Sequence, residues 1–128
     1  MDASVLFAAL AGDAAGGDRA RSLMSGASDI HVPHLVDLEV LSILRRFVRT
    51  GAMSEARCLA VVDNLRSLPL RRYPQLPFAA RIWQLRDGLS SYDAAYVAVA
   101  EAVGCHLVTA DRRLAQAQGP TCPIDVLE

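Results

Sequence analysis

A chain of 128 residues, 52% of them apolar, is long enough to bury one substantial core, so a single domain over residues 1–128 is expected. A formal net charge of −1 excludes a globally basic nucleic-acid coat, and no apolar run is long enough to span a bilayer. The start of the chain carries no basic leader with a hydrophobic run and a small-residue cleavage site, so a cytoplasmic protein is expected. Residues 4–10 read as a short apolar helix, followed by a small-residue loop over 11–17 and a second helix over 18–25 that Gly26 ends. Residues 30–32 form a brief strand closed by Pro33. From 34 to 50 apolar residues recur at helical spacing, and Gly51 caps that helix. Ser54 opens a further helix through 68, which makes a helical hairpin with the one before it.

A short strand over 69–73 and a helix over about 76–85 come next. The most continuously apolar helix, 91–103, is stopped by Gly104. A strand over 106–109, a helix over 111–118 and a last strand over 124–127 complete the chain. Strands and helices alternate, which predicts βαβ units: an α/β fold with a short, mostly parallel central sheet covered by helices on both faces. One expected piece is nearly missing. The chain begins at Met1-Asp2, so little strand precedes Asp2.

Asp93 and Asp111 fall where a turn or strand gives way to a helix, and Asp2 stands just before the first helical run. In a parallel sheet such junctions gather at one edge, the crevice where α/β proteins bind ligands. A helix N-terminus favours a charged carboxylate, so each of the three also has a purely structural explanation as a cap or first-turn acid. Glu39 has less excuse. On a helix it shares a face with Leu35, Val36 and Ile43, and a carboxylate in an apolar stripe is costly unless paired or coordinated. Arg46 or Arg45 is the candidate partner if it is paired. Hard oxygen donors from separate elements suit Mg²⁺ or Mn²⁺, an ion that activates water for attack on phosphorus. Thr109, two residues before Asp111, and Ser4, two after Asp2, place hydroxyls beside two of the acids.

The stretches MDASVLFAAL, DLEVLSILRR, SSYDAAYVAVAEA and HLVTADRRLA, in that order and spacing, resemble the PIN-domain family, in particular the VapC-type toxins of bacterial toxin–antitoxin pairs. The resemblance runs through nearly the whole chain. It implies a three-layer α/β/α fold and an endoribonuclease dependent on Mg²⁺ or Mn²⁺, with Asp2, Glu39, Asp93 and Asp111 as the acidic quartet. Thr109 matches the hydroxyl common just before the last acid, and Glu101 falls where many relatives have an acid, in a supporting role. Also implied are tRNA or ribosomal RNA as target, products bearing 5′-phosphate and 3′-hydroxyl ends, a homodimer, and a VapB-like antitoxin. The antitoxin's tail would lie by the helical hairpin and push a basic or bulky residue into the acidic pocket.

The remaining signals are weaker. Cys58, Cys105 and Cys122 are widely spaced and odd in number, which suits reduced thiols and no zinc site. All 13 basic residues are arginine, which coding bias explains as readily as function does. Arg112 and Arg113, directly after Asp111, are candidates for substrate phosphate. Arg45, Arg46 and Arg49 are adequately explained as cations near a helix C-terminus. Arg71 and Arg72 would add to a patch guiding RNA. Trp83 and Tyr92 could stack on unpaired bases, although packing in the core or at its rim is the expectation for both. His31 and His34 read as polar surface. Two rivals remain: a binding-only PIN relative without cleavage, and a phosphate-accepting receiver domain, which would need a lysine this chain lacks.

Overall fold

The computed structural model describes residues 1–12 and 15–128. Helix α1 (Ala3–Ala11) starts at once, because Asp2 is its N-cap and accepts from the backbone N–H groups of Ser4 and Val5. Helix α2 (Ala15–Gly26) begins earlier than the small residues suggest, and part of the expected loop, positions 13 and 14, lies outside the described residues. Gly17 explains how α2 folds back so closely on α1. A Cβ there would stand 2.4 Å from the Gly12 carbonyl oxygen, a separation no larger residue tolerates.

Strand β1 (His31–Pro33) leads into the long helix α3 (Leu35–Arg49), which pairs with α4 (Glu55–Ser67) as the expected hairpin. Ser54 caps α4 by accepting from the Arg57 N–H. Strand β2 (Arg71–Tyr73) follows, and then the chain tightens into a 3₁₀ turn, Leu76–Phe78, before α5 (Ala79–Gln84). Pro77 lies at the start of that turn, and only six residues of the predicted ten form α-helix. Helix α6 (Ser91–Val103) is buried without interruption from Ala94 to Ala100, as its composition predicts, and Gly104 ends it in the left-handed region at φ 77°. Strand β3 (Leu107–Thr109), the one-turn helix α7 (Arg112–Ala115) and strand β4 (Ile124–Val126) complete the fold. Helix α7 is shorter than the predicted 111–118.

The strands are parallel, as expected, but they fall into two pairs. β1 pairs with β2 in the register Val32 opposite Arg72, and β3 pairs with β4 with Val108 opposite Asp125. Helix α6 packs against both β1 and β3 and so bridges the pairs, while α1 packs against β3, α3 and α4. The Asp2 N–H donates to the Val108 carbonyl at 3.0 Å, which fastens the start of the chain to β3. The main core joins Leu6, Val32, Val36, Val40, Val97 and Leu107 from five elements, each side chain stabilising the fold by about 1.5–3 kcal/mol.

Glu101 is drawn into this framework. It takes both Nε and Nη2 of Arg81, at 2.7 and 2.9 Å, and the Thr121 N–H at 2.8 Å. The guanidinium beside it holds its carboxyl below the ordinary glutamate range. The residue ties α6 to α5 and to the 119–121 segment, which is a structural use and not a place in the acidic cleft. Trp83 and Tyr92, expected in or near the core, are instead 67% and 64% exposed. The Arg86 guanidinium covers the Trp83 ring at 4.4 Å. The three cysteines are free thiols, and among the described residues no helix is long and apolar enough to cross a membrane.

Candidate metal-binding active site

Asp2, Glu39, Asp93 and Asp111 come from four separated stretches of chain and line one cleft of about 340 Å³, together with Ser4 and Tyr96. A more apolar cleft of about 400 Å³ lies between α1, α2 and the 68–70 segment, but its only ionisable side chains, Arg21 and Asp29, already hold Asp18 and Arg71. The acidic cleft is where four carboxylates meet.

Asp2 is the most firmly held of the four. It is 7% exposed, and four donors reach its two carboxylate oxygens. Its Oδ1 accepts from the Ser4 hydroxyl and from the Ser4 and Val5 N–H groups, and its Oδ2 accepts from Thr109 Oγ1. Thr109 itself is fully buried and also accepts from the Asp111 N–H at 3.0 Å. Ser4 accepts in turn from the Ala110 N–H at 3.1 Å. The two hydroxyls singled out in the sequence therefore stitch the start of α1 to the β3–α7 junction, and bring Asp2 and Asp111 to one edge.

Glu39 is half-buried, and its partner is neither Arg45 nor Arg46. The Tyr96 hydroxyl of α6 donates to Glu39 Oε1 at 2.6 Å, and Oε2 has no hydrogen bond among the described residues. Burial pushes the Glu39 carboxyl above its ordinary value, the Tyr96 hydrogen bond pulls it back, and the charges of Asp93 and Asp2 push it up again. Tyr96 is itself held well above the ordinary phenol range by burial and by Glu39, so it remains a neutral donor. Sequence reasoning missed Tyr96 because at helical spacing it reads as core. Only the crossing of α3 and α6 makes it a partner.

Asp93 sits in the first turn of α6, its N–H donated to the N-cap Ser90 Oγ at 3.1 Å. Burial raises its carboxyl, Ser90 lowers it, and Asp2 and Asp111 raise it further. Asp111 behaves differently. It caps α7 through the Arg113 N–H at 2.9 Å, and hydrogen bonds from the Arg113 side chain and backbone hold its carboxyl below the ordinary range. Arg113 reaches Asp111 Oδ2 only at 3.4 Å and is 91% exposed, while Arg112 holds Glu128 at 3.1 Å. Exposed pairs of this kind contribute little, so both arginines can be drawn away by phosphate.

Two carboxyls raised by burial and mutual repulsion in a cleft lined by four acids form a donor set suited to a hard divalent cation. Among the described residues no three His, Cys, Asp or Glu side chains converge closely enough to make a ready-formed chelate. Mg²⁺ does not require one, since it commonly keeps several waters and takes one or two carboxylates directly.

Tyr96→Phe isolates the new contact. The ring packing is kept, Glu39 loses its donor, and the carboxyl is expected to titrate at higher pH, as followed by carbon NMR. The cost to stability is about 1 kcal/mol once solvent screening of the half-exposed carboxylate is allowed for. An unmoved Glu39 titration would mean that the hydrogen bond is not made in solution.

The PIN domain family profile matches residues 1–120. Ribonuclease VapC9 of Mycobacterium tuberculosis is 44% identical over 127 residues, covering 99% of this chain and 96% of that protein. Ribonuclease VapC1 of the same organism is 41% identical over 128 residues, covering 99% and 96%. Among solved structures, PAE2754 from Pyrobaculum aerophilum superposes with a TM-score of 0.73 at 26% identity, covering 98% of this chain and 81% of that one.

Proposed function

The chain belongs to the PIN-domain family and groups with its VapC ribonucleases, and from that membership we propose a Mg²⁺- or Mn²⁺-dependent endoribonuclease toxin acting on tRNA or ribosomal RNA. The observation that carries the reading is the shared cleft of Asp2, Glu39, Asp93 and Asp111, in which burial and like charge raise two of the carboxyls. In this reading the whole chain works as one PIN-like domain in the cytoplasm, as a homodimer, restrained by a VapB-like antitoxin.

Asp2, Glu39, Asp93 and Asp111 would hold the cation. When bound, a divalent ion lowers the pKa of water at the site and stabilises charge developing on the phosphate oxygens. The protein's own part is orientation. Thr109 and Ser4 fix Asp2, Tyr96 fixes one oxygen of Glu39, and the dipole of α6 keeps Asp93 disposed to ionise despite its burial. Arg112 and Arg113, which follow Asp111 in the chain, would exchange their weak, exposed carboxylate partners for substrate phosphate. A binding-only role is the second reading, since the quartet is not a ready-formed chelate. Incubating the purified protein with structured RNA in Mn²⁺ and in EDTA separates the two. The proposal expects fragments only with Mn²⁺, and intact RNA in both tubes supports the binding module.

A further inference from the structure

A second cleft, of about 560 Å³, opens directly beside the acidic one and shares Ser42 and Arg46 with it. Its other lining residues are Arg45, Arg49 and Thr50, so three arginines within five positions of α3 face one depression. All three side chains are exposed, and among the described residues none of them makes an ion pair or a hydrogen bond. Arg71, Arg72, Arg81, Arg112 and Arg113, by contrast, each hold an acid.

We propose that this face of α3 is a phosphate-binding track that grips single-stranded RNA running out of the acidic cleft. The ligand's identity rests on the nuclease reading above; the track itself rests on the arginines. A helix C-terminus accounts for a cation in the last turn, which covers Arg46 and Arg49. It does not account for Arg45, nor for placing Arg45 and Arg49 four residues apart, where like charges repel. Helix α4 contributes Glu55 to a neighbouring groove that Arg45 and Arg49 also line, without forming an ion pair with either. Clustered guanidinium groups that carry this repulsion are ready to take an external anion, and their planar forks match phosphate oxygens two at a time.

The geometry favours a nucleic-acid strand over a small anion. Along α3, Arg46 lies about 10 Å and Arg49 about 15 Å beyond Glu39 at the helical rise, so a ligand that reaches from the acids to the far arginine is longer than a single phosphate. With a net charge of −1 on the whole chain, any attraction for RNA has to be local. The arginines beside the acids supply it. They also offset the repulsion that a carboxylate-lined cleft exerts on an incoming phosphate strand.

The test uses a fluorescein-labelled, mixed-sequence single-stranded RNA, with binding followed by anisotropy in EDTA and cleavage followed in Mn²⁺. Arg45→Gln/Arg49→Gln should weaken binding at least tenfold. It should also make the log–log salt dependence shallower by about 0.7 for each phosphate no longer neutralised, roughly 1.4 in all. The Arg45→Lys/Arg49→Lys protein should recover most of the salt slope, because charge is kept while the fork is lost. In Mn²⁺ the Gln variant's defect should appear mainly in KM, with the melting curve unchanged. Wild-type affinity and salt slope in the Gln variant would overturn the track. If that variant also loses binding to a polyglutamate peptide, the face serves an acidic protein segment and not RNA. A wild-type protein that binds RNA through these arginines but never cleaves it would leave the track standing and sink the nuclease reading.

Discussion

Glu39→Gln and Asp93→Asn should each lower RNA cleavage by more than about 100-fold, the upper end of what losing an outer partner of a metal ligand costs. The two differ in what they do to the fold. Both carboxyls are raised above their ordinary values, first by burial and then by neighbouring acids. In the pH interval between the unfolded and folded values the native state binds more protons, so stability falls as pH rises through it. Their stabilising contribution is complete only below the ordinary carboxylate range, and at neutral pH both charges work against folding. Glu39→Gln removes that opposition while Gln keeps an oxygen for Tyr96, and the metal-free variant should melt higher than wild type at neutral pH. That advantage should shrink as pH falls through the folded pKa of Glu39. Asp93→Asn gains in the same way but loses a first-turn charge at the α6 N-terminus, worth about 0.3–1 kcal/mol, so it should be near neutral. Asp111 and Glu101, held low by arginines, act in the opposite sense on the total curve. The difference between variant and wild type is therefore the quantity to measure, by calorimetry in EDTA across pH. A Glu39→Gln protein that still cleaves RNA would place the chemistry elsewhere.

Thr109→Val is the second large effect. Thr109 is fully buried and its hydroxyl serves two partners at once, donating to Asp2 Oδ2 and accepting from the Asp111 N–H. Valine fills the same volume and satisfies neither. An almost fully buried carboxylate left short of a donor, with a backbone N–H left short of an acceptor, should cost about 2–3 kcal/mol. Mn²⁺ affinity should drop by about 10–100-fold, because the residue that fixes one proposed ligand also anchors the helix start carrying another. Serine at the same position should restore most of both. Thermal melts and Mn²⁺ titration calorimetry on the three proteins decide it. Loss of stability with unaltered Mn²⁺ affinity would make Thr109 a core residue only.

Much of the candidate site is legible in the sequence because it is local. Asp93 and Asp111 sit at helix starts whose capping chemistry is written within three residues, and the apolar run of α6 could only be a buried helix. Glu39 betrays itself as a charge in an apolar stripe. Its partner does not. A local reading offers Arg45 and Arg46, whereas the structure brings Tyr96 from 57 residues away across the α3–α6 contact. The arginine track is hidden for the same reason. Near a helix end three arginines look adequately explained, until the two clefts prove to share Ser42 and Arg46. Glu101 stands on the same apolar helix as Asp93 yet reaches Arg81, a pairing fixed by where α5 lies.

Whether the four acids of this cleft share a divalent cation is tested most directly by crystals grown with Mn²⁺ and measured at its absorption edge. An anomalous peak is expected within coordination distance of carboxylate oxygens from at least two of Asp2, Glu39, Asp93 and Asp111, and it should be abolished in Asp93→Asn. A fully occupied ion bound elsewhere, with this cleft holding only water, would contradict the shared site.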